Sequence, residues 1–360
     1  MTDICVLNFG RDIYWKISPS DPLLYEIGSC PGVQFISPIL FSSIEGLTDA
    51  KPVRSREPTR GYIGDLLLLQ TAGVAFKVEP GYVEQYKPTD VSRFASFLST
   101  QAPPLIETAT SLLSALRYFS KQADMSTGGD DLNFWEWLET DELPTPAQSR
   151  TSSFKWSIAK SIAEVAATRA DIEAACACDS QFRVPIYDTI FLDAIGAHAG
   201  HDYRKSILYS AIALESAAAM VLDEQYEGAV KPSTEQKWRM IELPIGSGKI
   251  ARKDPVWELL KKREDANSLL HEGALYILGR SLLVDNQNLF QLVQRLRATR
   301  NKIAHHGEPP EPKADQYLTL DCEGSSDALN CVNSVLTWLG VGQNYKLHER
   351  GLISLSTTAQ

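Results

Sequence analysis

From Pro185 onward the sequence runs in long stretches of helical period, and this restricts the C-terminal half to packed helices. "VPIYDTIFLDAIGAHA", "YRKSILYSAIALESAAAMVLDE", "EGALYILGRSLLV" and "SDALNCVNSVLTWLGV" each return apolar residues every three or four positions. Such a stripe must be buried against another element, and here the neighbouring elements are helices too. The spacing predicts one helix from near Pro185, a second from Tyr203 to Glu224, a third from Asn288 to His305, and a closing helix beyond. "DPVWELLKKREDANSLL" adds a further helical stretch, and "LPIGSGK" reads as a flexible point between helices. Residues 181–345 therefore read as an all-α bundle, followed by a tail over 346–360.

Upstream the pattern differs. Residues 1–95 mix short apolar runs ("DICVLNF", "DIYWKI", "GVQFISPILF", "VAFKVEP") with Pro and Gly, which predicts a small β-rich or α+β domain. No phosphate loop, nucleophile elbow or repeat is visible in it. Residues 96–180 read as a helical segment, from "PLIETATSLLSALRYFSKQ" and "SFKWSIAKSIAEVAATRADIEAACA". Between these two stretches lies an acidic, Gly/Pro/Ser-rich stretch, read as a long loop anchored by Phe134, Trp135 and Trp137. The fold class expected is α+β, a β-containing N-terminal region followed by a helical bundle.

The net charge of −10 argues against bulk electrostatic binding of nucleic acid. The charge is uneven, however. From Lys249 to His305 there are eleven Lys/Arg against six Asp/Glu, so this window carries +5. The longest apolar run noted, "GDLLLLQTAGVAF", falls short of the roughly 18–20 residues a membrane span needs. "MTDICVLNFGRDIYW" lacks the basic region and apolar run of a secretory leader. A cytoplasmic protein without membrane partners is expected, its six cysteines reduced. Cys176 and Cys178 form a lone CxC, at most half of a zinc site, so no metal is expected there.

The informative stretch is "RLRATRNKIAHHGEPP", Arg295–Pro310. On a wheel of roughly 100° per residue, Leu289, Val293, Leu296 and Ile303 form the core stripe of this helix, and Arg300 falls inside it. In the Tyr203 helix, Leu208, Ala211, Ile212 and Leu222 form the stripe, and Glu215 falls inside that one. A charge facing a core is costly unless paired. Glu215 and Arg300 are therefore predicted within ion-pair reach, less than about 6 Å apart. Arg297, Asn301 and His305 form a second, polar stripe, with Asn301 and His305 one turn apart. His306 points elsewhere.

Arg300-Asn301-x-x-x-His305 resembles the R-x(4–6)-H motif of the HEPN superfamily. The span from "PIYDTIFLDAIGAHAGHDYRKSILYSAIALE" to "LVQRLRATRNKIAHHG" looks most like its Apea-like branch, with a Glu-bearing helix early and the Arg–His helix late. The resemblance covers about residues 185–310. It implies a HEPN-like helical bundle and a homodimer whose motif helices meet in one composite cleft. It further implies a metal-independent endoribonuclease without cofactor, RNA as substrate, and a toxin-like role in antiphage defence or stress under a regulatory protein or trigger. Carried over, His305 is the general acid/base, Arg300 binds the scissile phosphate and Asn301 positions them, with Glu215, Arg297 and His306 in support.

The same stretch also reads as an ordinary helix end. Histidines in a last turn suit the helix dipole, Gly307 fits a C′ position, and Pro309 and Pro310 stop the helix. The alternative function is then a non-catalytic HEPN-like dimerisation or sensing module that binds nucleic acid, a nucleotide or a partner protein. His198 and His201, with Asp193 and Asp202, read either as capping and solvent contacts or as a metal group. His271 reads as structural. Trp238, Trp257 and the run Lys261-Lys262-Arg263 read as packing residues and a solvated face, or as contacts to RNA.

Overall fold

Strand β1 (Thr2–Ile17) is one continuous strand of sixteen residues, where the sequence suggested two. Its two halves are joined across an irregularity between Asn8 and Ile13, opposite β5 (Leu66–Val78). At this point the strands approach closely. A Cβ on Gly73 would lie 2.2 Å from the Leu7 carbonyl oxygen, so only glycine fits. The computed structural model describes residues 2–44, 60–63, 65–79, 104–123, 125, 132, 134–143, 145, 166–229, 244–245, 249–250, 266–306 and 316–341. The chain forms two units, Met1–Val184 and Pro185–Gln360.

The first unit is built on a sheet of order β2-β3-β5-β1-β6, with β2 at Leu24–Glu26, β3 at Val33–Ile36 and β6 at Phe134–Thr140. β4 (Arg60–Ile63) pairs with β5, and β7 (Ala167–Thr168) pairs in parallel with the far end of β1. Both faces of the sheet are covered, which explains why "ICVLNF" is almost wholly apolar rather than alternating. Cys5, Leu7 and Phe9 enter one core with α2 (Pro104–Ser120) and α3 (Arg169–Ala177). Ile4 and Val6 enter a second core with Leu40 and Phe41 of α1 (Pro38–Ile44). "GVQFISPILF" is thus strand and then helix, with Pro38 at the first helical position, where its missing N–H costs nothing.

Two side chains finish the β1 register. The Trp15 indole N–H donates to Thr71 Oγ1 at 2.8 Å, and the Thr71 hydroxyl donates to the Gly73 carbonyl at 3.0 Å. Between β6 and β7, Gln122 stands in for a strand. Its Oε1 accepts from the Tyr14 N–H at 3.0 Å and its Nε2 donates to the Tyr14 carbonyl at 2.9 Å. The stretch read as a loop around Trp135 is strand β6, antiparallel to residues 2–8 of β1. Pairing with an already formed strand supplies hydrogen bonds that the local composition does not signal. The side chains of Phe134, Trp135 and Trp137, read as anchors, lie outside the described residues. Among the described residues, 96–180 therefore contribute strands β6 and β7 and helices α2 and α3 to the same unit as the sheet. The stretch "SFKWSIAKSIAEV" lies outside the described residues.

In the second unit, α4 (Ile186–Ala199) and α5 (Tyr203–Ala229) are joined by a tight turn. Asp202 Oδ1 accepts from the Lys205 N–H at 3.1 Å, capping α5. Around "LPIGSGK", β8 (Pro244–Ile245) and β9 (Lys249–Ile250) form a small hairpin. Then come α6 (Ala266–Ser268), a π turn at Leu269–Gly273, α7 (Ala274–Leu278), α8 (Leu282–Asp285), α9 (Gln287–His306) and α10 (Cys322–Leu339). α5 is the central helix and packs against α4, α9 and α10. Its buried Ala211, Ala213, Ala217 and Ala218 let neighbours approach closely.

By length and hydropathy, Tyr203–Gln225 passes as a membrane span, with a mean hydropathy of 1.4, which corrects the expectation that no segment is long enough. More than half of that window is buried inside the fold, so its apolar surface is used between helices. The Gly/Pro end of the motif stretch (307–310), Trp238, Trp257, Lys261-Lys262-Arg263 and the tail over 346–360 lie outside the described residues.

Candidate functional site

α9 starts where Asn286 Oδ1 accepts the Leu289 N–H at 3.0 Å, and it runs to His306. Its apolar stripe is buried as the spacing predicts, with Val293, Leu296 and Ile303 all nearly inaccessible. A second side is closed by a feature the sequence did not signal. Thr299 Oγ1 accepts from the Leu318 N–H at 2.8 Å and donates to the Arg295 carbonyl at 2.8 Å. Arg295 Nη2 donates to the Tyr317 carbonyl at 3.4 Å, and the Lys302 ammonium lies 5.9 Å from the Tyr317 ring centroid. Arg295, Thr299 and Lys302 are spaced i, i+4, i+7, which is the only trace of this face in the sequence. Two basic residues of the +5 window are thereby committed to holding the segment before α10.

The remaining side carries the motif. Arg300 Nη2 lies 3.6 Å from Glu215 Oε2 on α5, within the reach predicted from the two helical wheels. Arg300 Nη1 donates to Asn301 Oδ1 at 3.0 Å, so the guanidinium is held from two sides. The wheel expectation needs two corrections. Leu208 and Ile212, placed on the α5 stripe, are only half-buried, and the buried face of α5 runs through Ile207, Ala211, Leu214, Ala218 and Val221, which leaves Glu215 beside it. The Arg300 and Glu215 side chains are 35% and 26% exposed, so the pair sits at the rim of the α5–α9 contact and not in its core. A long arginine on the edge of an apolar stripe reaches outward and keeps its charged end wet. Arg297, one turn earlier, is partly buried. His305 stands one turn beyond Asn301 and is exposed. His306 is the last residue of α9.

The other histidines are taken up by local contacts, His198 buried, His271 half-buried and His201 exposed. His198 Nδ1 is 2.8 Å from Ser325 Oγ in the buried contact of α4 with α10, and His201 Nδ1 is 2.9 Å from the Tyr203 hydroxyl. With Asp202 used as a cap, these residues serve as structural contacts. His271, in the π turn, lies 2.6 Å from Ser281 Oγ and edge-on to Phe290. Among the described residues, no group of three or more His, Cys, Asp or Glu is placed to hold a metal ion. All six cysteines are thiols, and burial pushes those of Cys5 and Cys176 up to about 12.

Chemically, the end of α9 offers a fixed guanidinium, a neutral amide beside it and an imidazole one turn away. A guanidinium is always charged and matches phosphate oxygens, and an imidazole exchanges protons near neutral pH. Comparison with family models, with curated proteins and with solved structures gives no match.

Proposed function

We propose that the second unit is a HEPN-type domain acting as a metal-independent endoribonuclease in a homodimer. The observation that carries this reading is the arrangement at the end of α9. Arg300 is oriented by Asn301 and Glu215, and exposed His305 follows one turn later. RNA brings its own nucleophile, so the protein need only move protons and stabilise charge on phosphorus. The 2′-oxygen forms a bond to phosphorus and the bond from phosphorus to the 5′-oxygen breaks. The 2′-hydroxyl proton passes to one imidazole, and the leaving 5′-oxygen takes a proton from another. The products are a 2′,3′-cyclic phosphate and a 5′-hydroxyl. His305 from each of two chains divides the acid and base roles, and Arg300 neutralises the phosphate. A place in bacterial defence or stress, under a trigger, belongs to the same proposal.

A second reading is favoured by one specific observation: the charge of Arg300 already faces Glu215. On that reading the domain is a non-catalytic dimerisation or sensing module. The two are separated by incubating the purified chain with tRNA and mRNA in EDTA, beside His305→Ala and Arg300→Ala. Cleavage by the unaltered protein that both substitutions abolish is expected. Cleavage that survives both, or none by the unaltered protein, overturns the nuclease reading.

A further inference from the structure

We infer that Glu215 sets the affinity of the Arg300 site for a polyanion, weakening its grip on phosphate by its own negative charge. This rests on the reading of the α9 end as facing RNA. Three observations carry it. The 3.6 Å separation of Arg300 Nη2 and Glu215 Oε2 is longer than the roughly 2.7–2.9 Å of a charge-assisted hydrogen bond, so the contact is chiefly coulombic. Both side chains are partly exposed, so an outside anion can reach the guanidinium without unpacking the helices. Arg300 has a second, neutral support in Asn301, on its own helix. Orientation and charge balance are therefore divided between two residues, and removing the charge of Glu215 leaves a support for the guanidinium in place. A phosphate docked on Arg300 would sit within a few ångströms of the Glu215 carboxylate and be repelled by it. Glu215 is thus a positioning residue that also keeps binding weak enough for a cleaved strand to leave.

The test is binding of a fluorescently labelled 2′-O-methyl oligoribonucleotide, which lacks the 2′-hydroxyl nucleophile, to the full chain. Glu215→Gln is expected to tighten binding by roughly threefold to fiftyfold at low salt, the range that one unit charge removed about 7 Å from a phosphate gives between bulk water and the effective dielectric of about 20 near a protein surface. The gain should shrink as salt is raised. Glu224→Gln is the control for net charge, because Glu224 is exposed and about 13 Å further along α5 at 1.5 Å per residue. It should leave affinity unchanged. Glu215→Ala, smaller and equally neutral, should reproduce the gain if Glu215→Gln folds poorly. Equal or weaker binding by folded Glu215→Gln, an equal gain from Glu224→Gln, or no binding by any form overturns the inference. If the unaltered protein binds the oligonucleotide but cuts no RNA, cleavage fails as a proposal and the affinity ratio alone decides the role of Glu215. Where cleavage is seen, Glu215→Gln should lower KM without raising kcat, a split that a purely structural pair would not produce.

Discussion

Arg300 of α9 and Glu215 of α5 meet at 3.6 Å at the rim of the contact between their helices. This one relationship joins the two charges that the sequence places on apolar stripes, and its exposure decides its worth. Burial would have made the loss of one partner cost about 3–5 kcal/mol. A pair open to water is screened and contributes roughly 0–1 kcal/mol. Arg300→Ala is therefore expected to lower stability by no more than about 1 kcal/mol in urea unfolding. A loss of several kcal/mol would mean that the pair is desolvated in solution.

Activity should respond differently. If His305 moves a proton in the transition state, His305→Ala lowers RNA cleavage by roughly 10²–10⁴-fold. Its melting temperature should stay that of the unaltered protein, because the side chain lies exposed on the last turn of α9. A variant that loses cleavage and stability together would point to a structural role.

Asp321 gives a pH-dependent prediction. Its carboxylate accepts from the Gly324 N–H at 2.9 Å and the Thr319 hydroxyl at 2.7 Å, capping α10. These bonds, the Gly324 one foremost, hold its carboxyl below the usual value. A carboxylate lowered by folding stabilises the protein above its unfolded value of about 3.9, and that contribution fades as pH falls through the folded value. Asp321→Ala should cost about 1 kcal/mol at neutral pH. The gap to the unaltered protein should narrow in acid. Asp321→Asn keeps a capping acceptor and should show a smaller loss with little pH dependence.

Thr71 tests the sheet. Its hydroxyl accepts the Trp15 indole N–H and both residues are buried. Thr71→Val leaves that N–H without its partner, at a cost of about 1–3 kcal/mol. Thr71→Ser keeps the hydroxyl and should lose less. Equal loss in the two variants would assign the effect to packing alone.

The thiols should divide by accessibility. Cys5, Cys176 and Cys331 are buried, and burial raises all three above the usual thiol value. Cys322 is exposed at the start of α10. Alkylation read by mass spectrometry should mark Cys322 first and reach those three only on unfolding. Because their folded values are raised, they favour the folded state below the unfolded thiol value of about 8.5, and that contribution is lost as pH climbs above it.

Four helices of the second unit were legible because their apolar residues recur with a local period, whereas "EGALYILGRSLLV", read as one helical stretch, is broken into α7 and α8 at the left-handed Gly279. α4, α5, α9 and α10 lie where the spacing put them. The pairing of Glu215 with Arg300 was legible too, since two charges on apolar stripes have few other places to go. The sheet was less so. β6 looked like an acidic loop because its hydrogen bonds come from β1, far away in sequence. α1 was absorbed into the strand before it because the short apolar runs on either side of Ser37 and Pro38 fit either element.

What the sequence determined by itself is the helical period of α4, α5, α9 and α10, the stripe α9 buries and the face on which Arg300, Asn301 and His305 lie, since these depend only on order along the chain. Tertiary structure decided the rest. It set Arg300 and Glu215 at a wet rim, laid Tyr317 and Leu318 over the Thr299 side of α9, and let Gln122 complete an edge of β1. Each depends on how far one segment stands from another, and exposure and pairing are properties of that distance.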